Sequence, residues 1–294
     1  MSGAAPAPRQ PAAAVAGGLR RLASALGTAA YNVADRSRDT LMFVGRLAEL
    51  VRDASLWSGR GLFSARYRFN RANRATLGSQ MVRVGVRSIP IIVLVQTFVG
   101  IILALQMAPT LQSYGQLQRV ADVVGIATFR ELGPLLSAIV LSGFAGASIA
   151  AELGTMVEGE EIKALRACAL NPVRFLVVPR FLATVVMLTA LTVVADVVGV
   201  LGGLFTSVTV LGLSASEYLS YTQAAVQHKD FLTGLVKAGV FGMLISMIAC
   251  LEGLSVTGGA EGVGRATTNT VIKSIVALIT TDVIFTAAFY AYGL

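Results

Sequence analysis

Long uncharged runs alternate with short polar ones along most of this chain. After Arg87 no charge occurs until Arg119, and the centre of that run, IPIIVLVQTFVGIILALQM, is long enough for a membrane-spanning helix that Pro109 closes. Leu132–Ala151 is uncharged and rich in small residues, and Phe181–Leu211 is apolar except for Asp196. Gly234–Leu251 contains Lys237 and is followed by Glu252, and Ser274–Leu294 is interrupted only by Asp282. The pattern predicts five spans in one domain, residues 81–294. Inside hydrocarbon every backbone group must bond within its own segment or a closed barrel, and the alternation of a barrel strand is absent. The fold class is therefore an all-α integral membrane protein with about five transmembrane helices.

The first eighty residues follow a different pattern. Residues 1–18 are Ala, Pro and Gly with a single Arg, too poor in large apolar side chains to pack, and are expected to be disordered. They do not resemble a cleaved signal peptide. From Leu19 apolar positions recur every three or four residues, with Arg20, Arg21, Arg36, Arg46 and Arg52 mostly on other faces. Residues 19–80 are expected to form amphipathic, basic helices lying on a membrane surface, with Trp57, Phe63, Tyr67 and Phe69 interleaved among arginines.

Composition agrees with the pattern: 55% of residues are hydrophobic and 14% charged, far below the roughly 25% charged of a soluble domain. The net charge of +8 is concentrated near the N-terminus, where fourteen Arg face four acids before residue 90. Nucleic acid is one conceivable partner for such a segment. Beside membrane spans, a cytoplasmic flank touching anionic lipid headgroups is the better reading, so no nucleic-acid role is expected. This orientation places the N-terminus, residues 158–170 and the loop 252–273 in the cytoplasm, and the stretches around Arg119 and His228 outside. With five spans the C-terminus lies on the outer side.

One polar stretch is unlike an ordinary turn. Glu158, Glu160, Glu161, Lys163 and Arg166 fall within nine residues, between two of the most apolar parts of the chain. A charged helix bounded by Gly154 and Asn171-Pro172 cannot enter lipid, and a soluble partner is its expected binder. Ile162, Leu165 and Leu170 are expected to form a small apolar edge for that partner's groove. The alternative is a loop helix packed only on its own membrane domain.

Candidate catalytic chemistry is sparse. Cys168 and Cys250 show no pairing or metal-ligand spacing, and the only histidine, His228, sits beside Lys229 and Asp230 as a solvated residue. No catalytic or metal-ligating residue is expected, and no phosphate-cradling Gly-x-x-x-x-Gly-Lys-Ser/Thr is present. Gly259, Glu261, Gly264 and Arg265 belong to a glycine-rich loop read as a tight turn into the last helix, with Thr267 and Thr268 as N-cap hydroxyls.

Ionisable groups inside spans are expensive and face a bundle interior, which singles out Arg130, Glu131, Asp196, Lys237 and Asp282. They act either as a gate or headgroup site, or as pins between helices. A Glu131–Lys237 pair is geometrically reasonable. At 1.5 Å per residue Asp196 lies roughly 24 Å from Arg180 and Asp282 roughly 14 Å from Lys273. Two rows of small residues, Gly143/Ala147/Ala151 and Gly146/Ala150/Gly154, and the pair Gly199/Gly203 let helices approach closely. Leu94, Phe98, Ile102 and Gln106 are the candidate lining of a lipid path.

The stretches GVRSIPIIVLVQTFVGIILALQ, RELGPLLSAIVLSGFAGASIAAELGTM, NPVRFLVVPRFLA and GGAEGVGRATTNTVIKS resemble, in this order, the MlaE/YrbE-type permeases of lipid-transporting ABC systems. The resemblance implies a non-enzymatic half-transporter in a bacterial inner membrane, working as a homodimer. It implies a cytoplasmic ABC ATPase subunit that binds the ATP, an MCE-domain substrate-binding protein on the outer side and a small STAS-type accessory subunit. Glu158 to Leu170 then becomes the coupling helix seated in the ATPase. The family pattern usually has an Arg near Phe144 and acids near Lys163 and Arg166, and the chain departs from it there. A competing reading is a proton-coupled secondary transporter using Asp196 and Asp282; a plain membrane anchor is a third.

Overall fold

The computed structural model describes residues 71–292 together with positions 45, 49 and 52. The expected disordered tail 1–18 and most of the expected interfacial region 19–80 lie outside the described residues. Everything from Arg71 to Tyr292 belongs to one compact unit, and its described residues are helical without strands.

Among the described residues from Arg71 onward ten α-helices follow one another: α1 Arg71–Val84, α2 Ile89–Ser113, α3 Val120–Ala127, α4 Gly133–Leu141, α5 Ala147–Glu158, α6 Glu161–Ala167, α7 Val178–Thr209, α8 Ala215–Ala225, α9 His228–Leu254 and α10 Gly259–Tyr292. Among the described residues five continuous helical stretches are long and apolar enough to cross a membrane: Thr76–Ser113, Leu117–Glu158, Val173–Thr209, His228–Leu254 and Gly259–Tyr292.

Each stretch is longer than the apolar run that announced it. Pro109 does not close the first span but sits inside α2, which runs on to Ser113. So near the helix end its missing N–H disturbs few bonds. The second span does not begin at Arg130 and Glu131, expected at its outer end; its helical run starts further back, at Leu117. Here the chain passes Gly133-Pro134 without breaking because the Thr128–Leu132 turn widens to π geometry, the Gly133 amide donating to Thr128 O. Pro134, having no N–H, falls at the start of the next α segment, where none is required. The last span starts at Gly259 rather than Ser274, because polar residues at its exposed beginning continue the helix.

α7 is the centre of the bundle. It packs on α2 along one side and on α9 along another. Glycines set the first contact: a Cβ added at Gly100 would fall 2.0 Å from the Gly199 carbonyl oxygen, and one at Gly202 would fall 2.4 Å from the Thr97 oxygen. The expected close approach at Gly199 and Gly203 is therefore present. Of the two small rows on the second span, Gly146, Ala150 and Gly154 are packed, Gly146 against Ile245 and Thr270, whereas Gly143 faces open space.

One helix has no counterpart in the hydropathy pattern. α8 links the third and fourth spans, begun by Ser214, whose hydroxyl accepts from the Glu217 amide. It buries Tyr218 and Thr222, with the Tyr218 hydroxyl donating to Val200 O at 3.4 Å. The capping signature S-x-x-E was legible in the sequence; the absence of a long apolar run hid it.

Candidate functional site

The polar stretch after the second span folds as α6, seven residues long, and Glu158 ends α5 instead of belonging to it. Both flanks are left-handed at non-glycine residues, Glu160 at φ 59° and Ala169 at φ 57°, so the chain turns sharply on either side. Glu160, Glu161, Lys163 and Arg166 are exposed. The Lys163 ammonium donates to Glu160 Oε1 at 2.6 Å. That hydrogen bond, then the lysine's charge, holds the Glu160 carboxyl below the usual carboxylate range. The expected apolar edge is not assembled. Ile162 turns under and is buried, with α6 packed on α5, Leu165 is half-buried, and Leu170 alone is exposed. Seven residues present only two turns, so the apolar position that holds α6 in place cannot also face a partner.

At the end of the bundle carrying α6, one carboxylate joins three helices. Arg83 of α1 reaches Glu152 Oε1 of α5 at 2.8 Å, and Arg180 of α7 reaches Glu152 Oε2 at 3.0 Å. Arg83 also donates to the Ser148 hydroxyl, and Arg180 donates to Leu176 O at 2.8 Å. Lys273 of α10 pairs with Glu252 of α9 at 2.6 Å. None of these five residues was singled out as a site from the sequence. The available signal was opposite charges at the ends of different spans, which becomes specific only when the packing is known.

Within the bundle, Lys237 does meet Glu131, at 2.6 Å, and in addition Asp282, at 2.9 Å. Thr286 completes the cluster: Lys237 donates to its hydroxyl, which donates to Glu131 Oε1, each at 3.0 Å. Lys237 is only 1% exposed, so its charge is compensated by two carboxylates and a hydroxyl. Arg130 turns the other way and pairs with Asp230, whose other oxygen caps the Gln227 amide at the start of α9. Asp196 joins neither group. It is buried against Gly133, where an added Cβ would lie 1.8 Å from Oδ1, and that oxygen has no hydrogen-bond partner among the described residues.

Leu94, Phe98, Ile102 and Gln106 share one exposed face of α2, and Ile92, Gln96, Gly100, Ala104 and Ala108 form its buried side. The glycine-rich loop turns at Gly258, φ 94°, and Gly259, φ 68°. Glu261, Gly264 and Arg265 are exposed on the first turns of α10, with Arg265 and Glu261 paired at 3.4 Å. Thr267 and Thr268 are not N-caps: they lie inside α10 and return their hydroxyls to Gly264 O. Gly154 packs against Val256 and Val263, which brings this loop to the same end of the bundle as α6. Cys168 is exposed, Cys250 buried, and both are free.

Five apolar helices that bury ionised groups in mutual pairs, with a short polar helix at one end, define an all-α integral membrane protein of the polytopic kind. Residues 77–288 match the family described as Permease MlaE, and the chain belongs to that family. It is 36% identical over 211 residues to a probable ABC transporter permease protein of Rickettsia felis, covering 72% of this chain and 82% of that one. A probable ABC transporter permease protein of Synechocystis is 38% identical over 208 residues, 71% of this chain and 79% of its own. The intermembrane phospholipid transport system permease protein MlaE of Haemophilus influenzae is 32% identical over 218 residues, 74% and 84% of the two chains.

Proposed function

We propose that this chain is the membrane permease subunit of an ABC transport system that moves phospholipid. Membership of the Permease MlaE family supports the reading, as do the ABC permease and phospholipid names of its relatives. The observation that carries it is α6: an exposed, charged, two-turn helix pinned to the bundle by Ile162 and presented between two left-handed residues. Such a helix serves as a rigid knob for a soluble subunit. That subunit is the ATPase, which binds and hydrolyses ATP, while this chain does no chemistry of its own. Two copies form the conduit, an MCE-domain protein delivers or receives lipid on the outer side, and a STAS-type subunit attends the ATPase. The protein sits in a bacterial inner membrane with α6 toward the cytoplasm. Lipid moves along the exposed α2 face of Leu94, Phe98, Ile102 and Gln106. The family does not favour a proton-driven carrier, and Asp282 is occupied by Lys237.

The test is reconstitution in phospholipid vesicles together with its partner ATPase subunit. ATP-dependent lipid transfer is expected, and reversing the charges of Glu161 and Arg166 together is expected to release the ATPase on purification. Full-rate transfer in vesicles lacking any ATPase overturns the reading.

A further inference from the structure

The end of the bundle that carries α6 also holds a small cleft of about 110 Å³ between α1 and the second span. Its polar wall is Gln80, Arg83, Arg87 and Ser148; its apolar wall includes Val84, Phe144 and Ile149. Arg83 is committed to Ser148 and Glu152. Arg87 makes no hydrogen bond or ion pair among the described residues, although it lines the cleft and is exposed. Gln80 Oε1 is buried there without a partner.

Depth fixes what the cleft meets. Arg87 lies in the turn Val86–Ser88 between α1 and α2, and every residue from Ser88 to Gln118 is uncharged. Twenty helical residues from Ile89 span roughly 30 Å, the thickness of the hydrocarbon layer, so Arg87 stands where the headgroups begin. The paired charges Arg83, Glu152 and Arg180 share that end of the bundle.

We propose that this cleft holds the phosphate of a membrane phospholipid, with the Arg87 guanidinium as its anion donor and the acyl chains leaving over Phe144. Guanidinium is suited to phosphate because its planar fork gives two parallel hydrogen bonds. The volume fits a headgroup rather than a whole lipid, so the tails stay in the bilayer. Phe144 is 43% exposed beside the cleft, a surface from which a soluble anion gains nothing and an acyl chain gains burial. Gln80 Oε1 has no donor, and a turn of its amide toward the cleft lets it take one from a headgroup with a hydroxyl or ammonium next to its phosphate, such as glycerol or ethanolamine, but not from choline. The site is distinct from the α2 face assigned to transport and requires no ATPase.

Native mass spectrometry of the full chain in detergent tests this directly. Phosphatidylglycerol is titrated in, with phosphatidylcholine, diacylglycerol of the same chains and inorganic phosphate as the other arms. One phosphatidylglycerol should bind ahead of the rest and ahead of the other lipids. Arg87→Gln should weaken it roughly tenfold, the worth of one charge-assisted contact. Phe144→Ala should weaken phosphatidylglycerol and diacylglycerol by similar factors. Three results overturn the proposal: Arg87→Gln binding phosphatidylglycerol as tightly as the unaltered chain, diacylglycerol matching phosphatidylglycerol, or millimolar inorganic phosphate displacing the lipid. Because no ATP or partner is involved, failure here leaves the transport reading standing.

Discussion

Arg180 Nη2 lies 3.0 Å from Glu152 Oε2, and through that contact the first turn of α7 is fastened to α5 across the α6 segment that separates them in sequence. Arg83 holds the second oxygen of the same carboxylate, so α1 is tied in as well. Glu152 thus links α1, α5 and α7 at the end of the bundle that carries α6.

Glu152→Ala is expected to be more damaging than Arg83→Ala. Losing Glu152 leaves Arg180, whose side chain is 6% exposed, as a buried cation without a carboxylate, a loss of roughly 3 kcal/mol. Arg83 is 40% exposed, and its pair is worth at most about 1 kcal/mol. Thermal unfolding of the two variants in detergent gives the order; equal Tm values would contradict it.

The Lys237 cluster makes simple charge exchange insufficient. Glu131→Lys should abolish transport by setting two ammonium groups together. Adding Lys237→Glu should restore only part of it, because the new carboxylate would face Asp282, 2.9 Å from the present ammonium. Adding Asp282→Asn to that pair should restore more. Lipid-transfer rates of the single, double and triple variants decide the matter, and a double variant at full activity would remove Asp282 from the cluster.

Two glycines predict opposite outcomes for the same substitution. Gly100→Ala places a methyl 2.0 Å from a backbone oxygen of α7, so the helices must part, at about 1–3 kcal/mol. Gly143→Ala meets nothing within 4 Å and should stabilise its helix by roughly 0.5–1 kcal/mol. Circular dichroism melts of both variants provide the comparison.

Ile162 of α6 and Leu170 just after it are expected to separate stability from partner binding. Ile162→Asp buries a charge under the helix and should unseat it, measured as faster proteolysis between residues 158 and 172. Leu170→Asp alters an exposed position and should leave proteolysis unchanged while weakening ATPase capture.

Much of the fold was legible because hydrocarbon imposes one rule at a time. Apolar runs, two of them uncharged and three holding a single charge, located all five spans, and the run of charge from Glu158 to Arg166 located α6. Helix ends were missed wherever polar residues continued a helix beyond the apolar run, as at Leu117 and Gly259. A hydropathy pattern records where lipid stops, and the backbone does not have to stop there.

The candidate site divides in the same way. Glu131 and Lys237 could be matched from the sequence, since each stood near the outer end of a predicted span, at a similar depth. Asp282 and Thr286 could not be added, and Arg83, Glu152 and Arg180 looked like ordinary charges at span boundaries.

By itself, then, the chain's order of residues determined that it is helical, embedded in a membrane and equipped with one polar helix at a loop. Those follow from the cost of leaving charge or unbonded backbone in hydrocarbon, which each segment meets alone. Which carboxylate neutralises which cation, which face of α2 is left bare, and which small row is packed were decided only by tertiary structure. These depend on the rotation and depth of helices against one another, and that is set by close contacts such as Gly100 on Gly199 between residues distant in sequence.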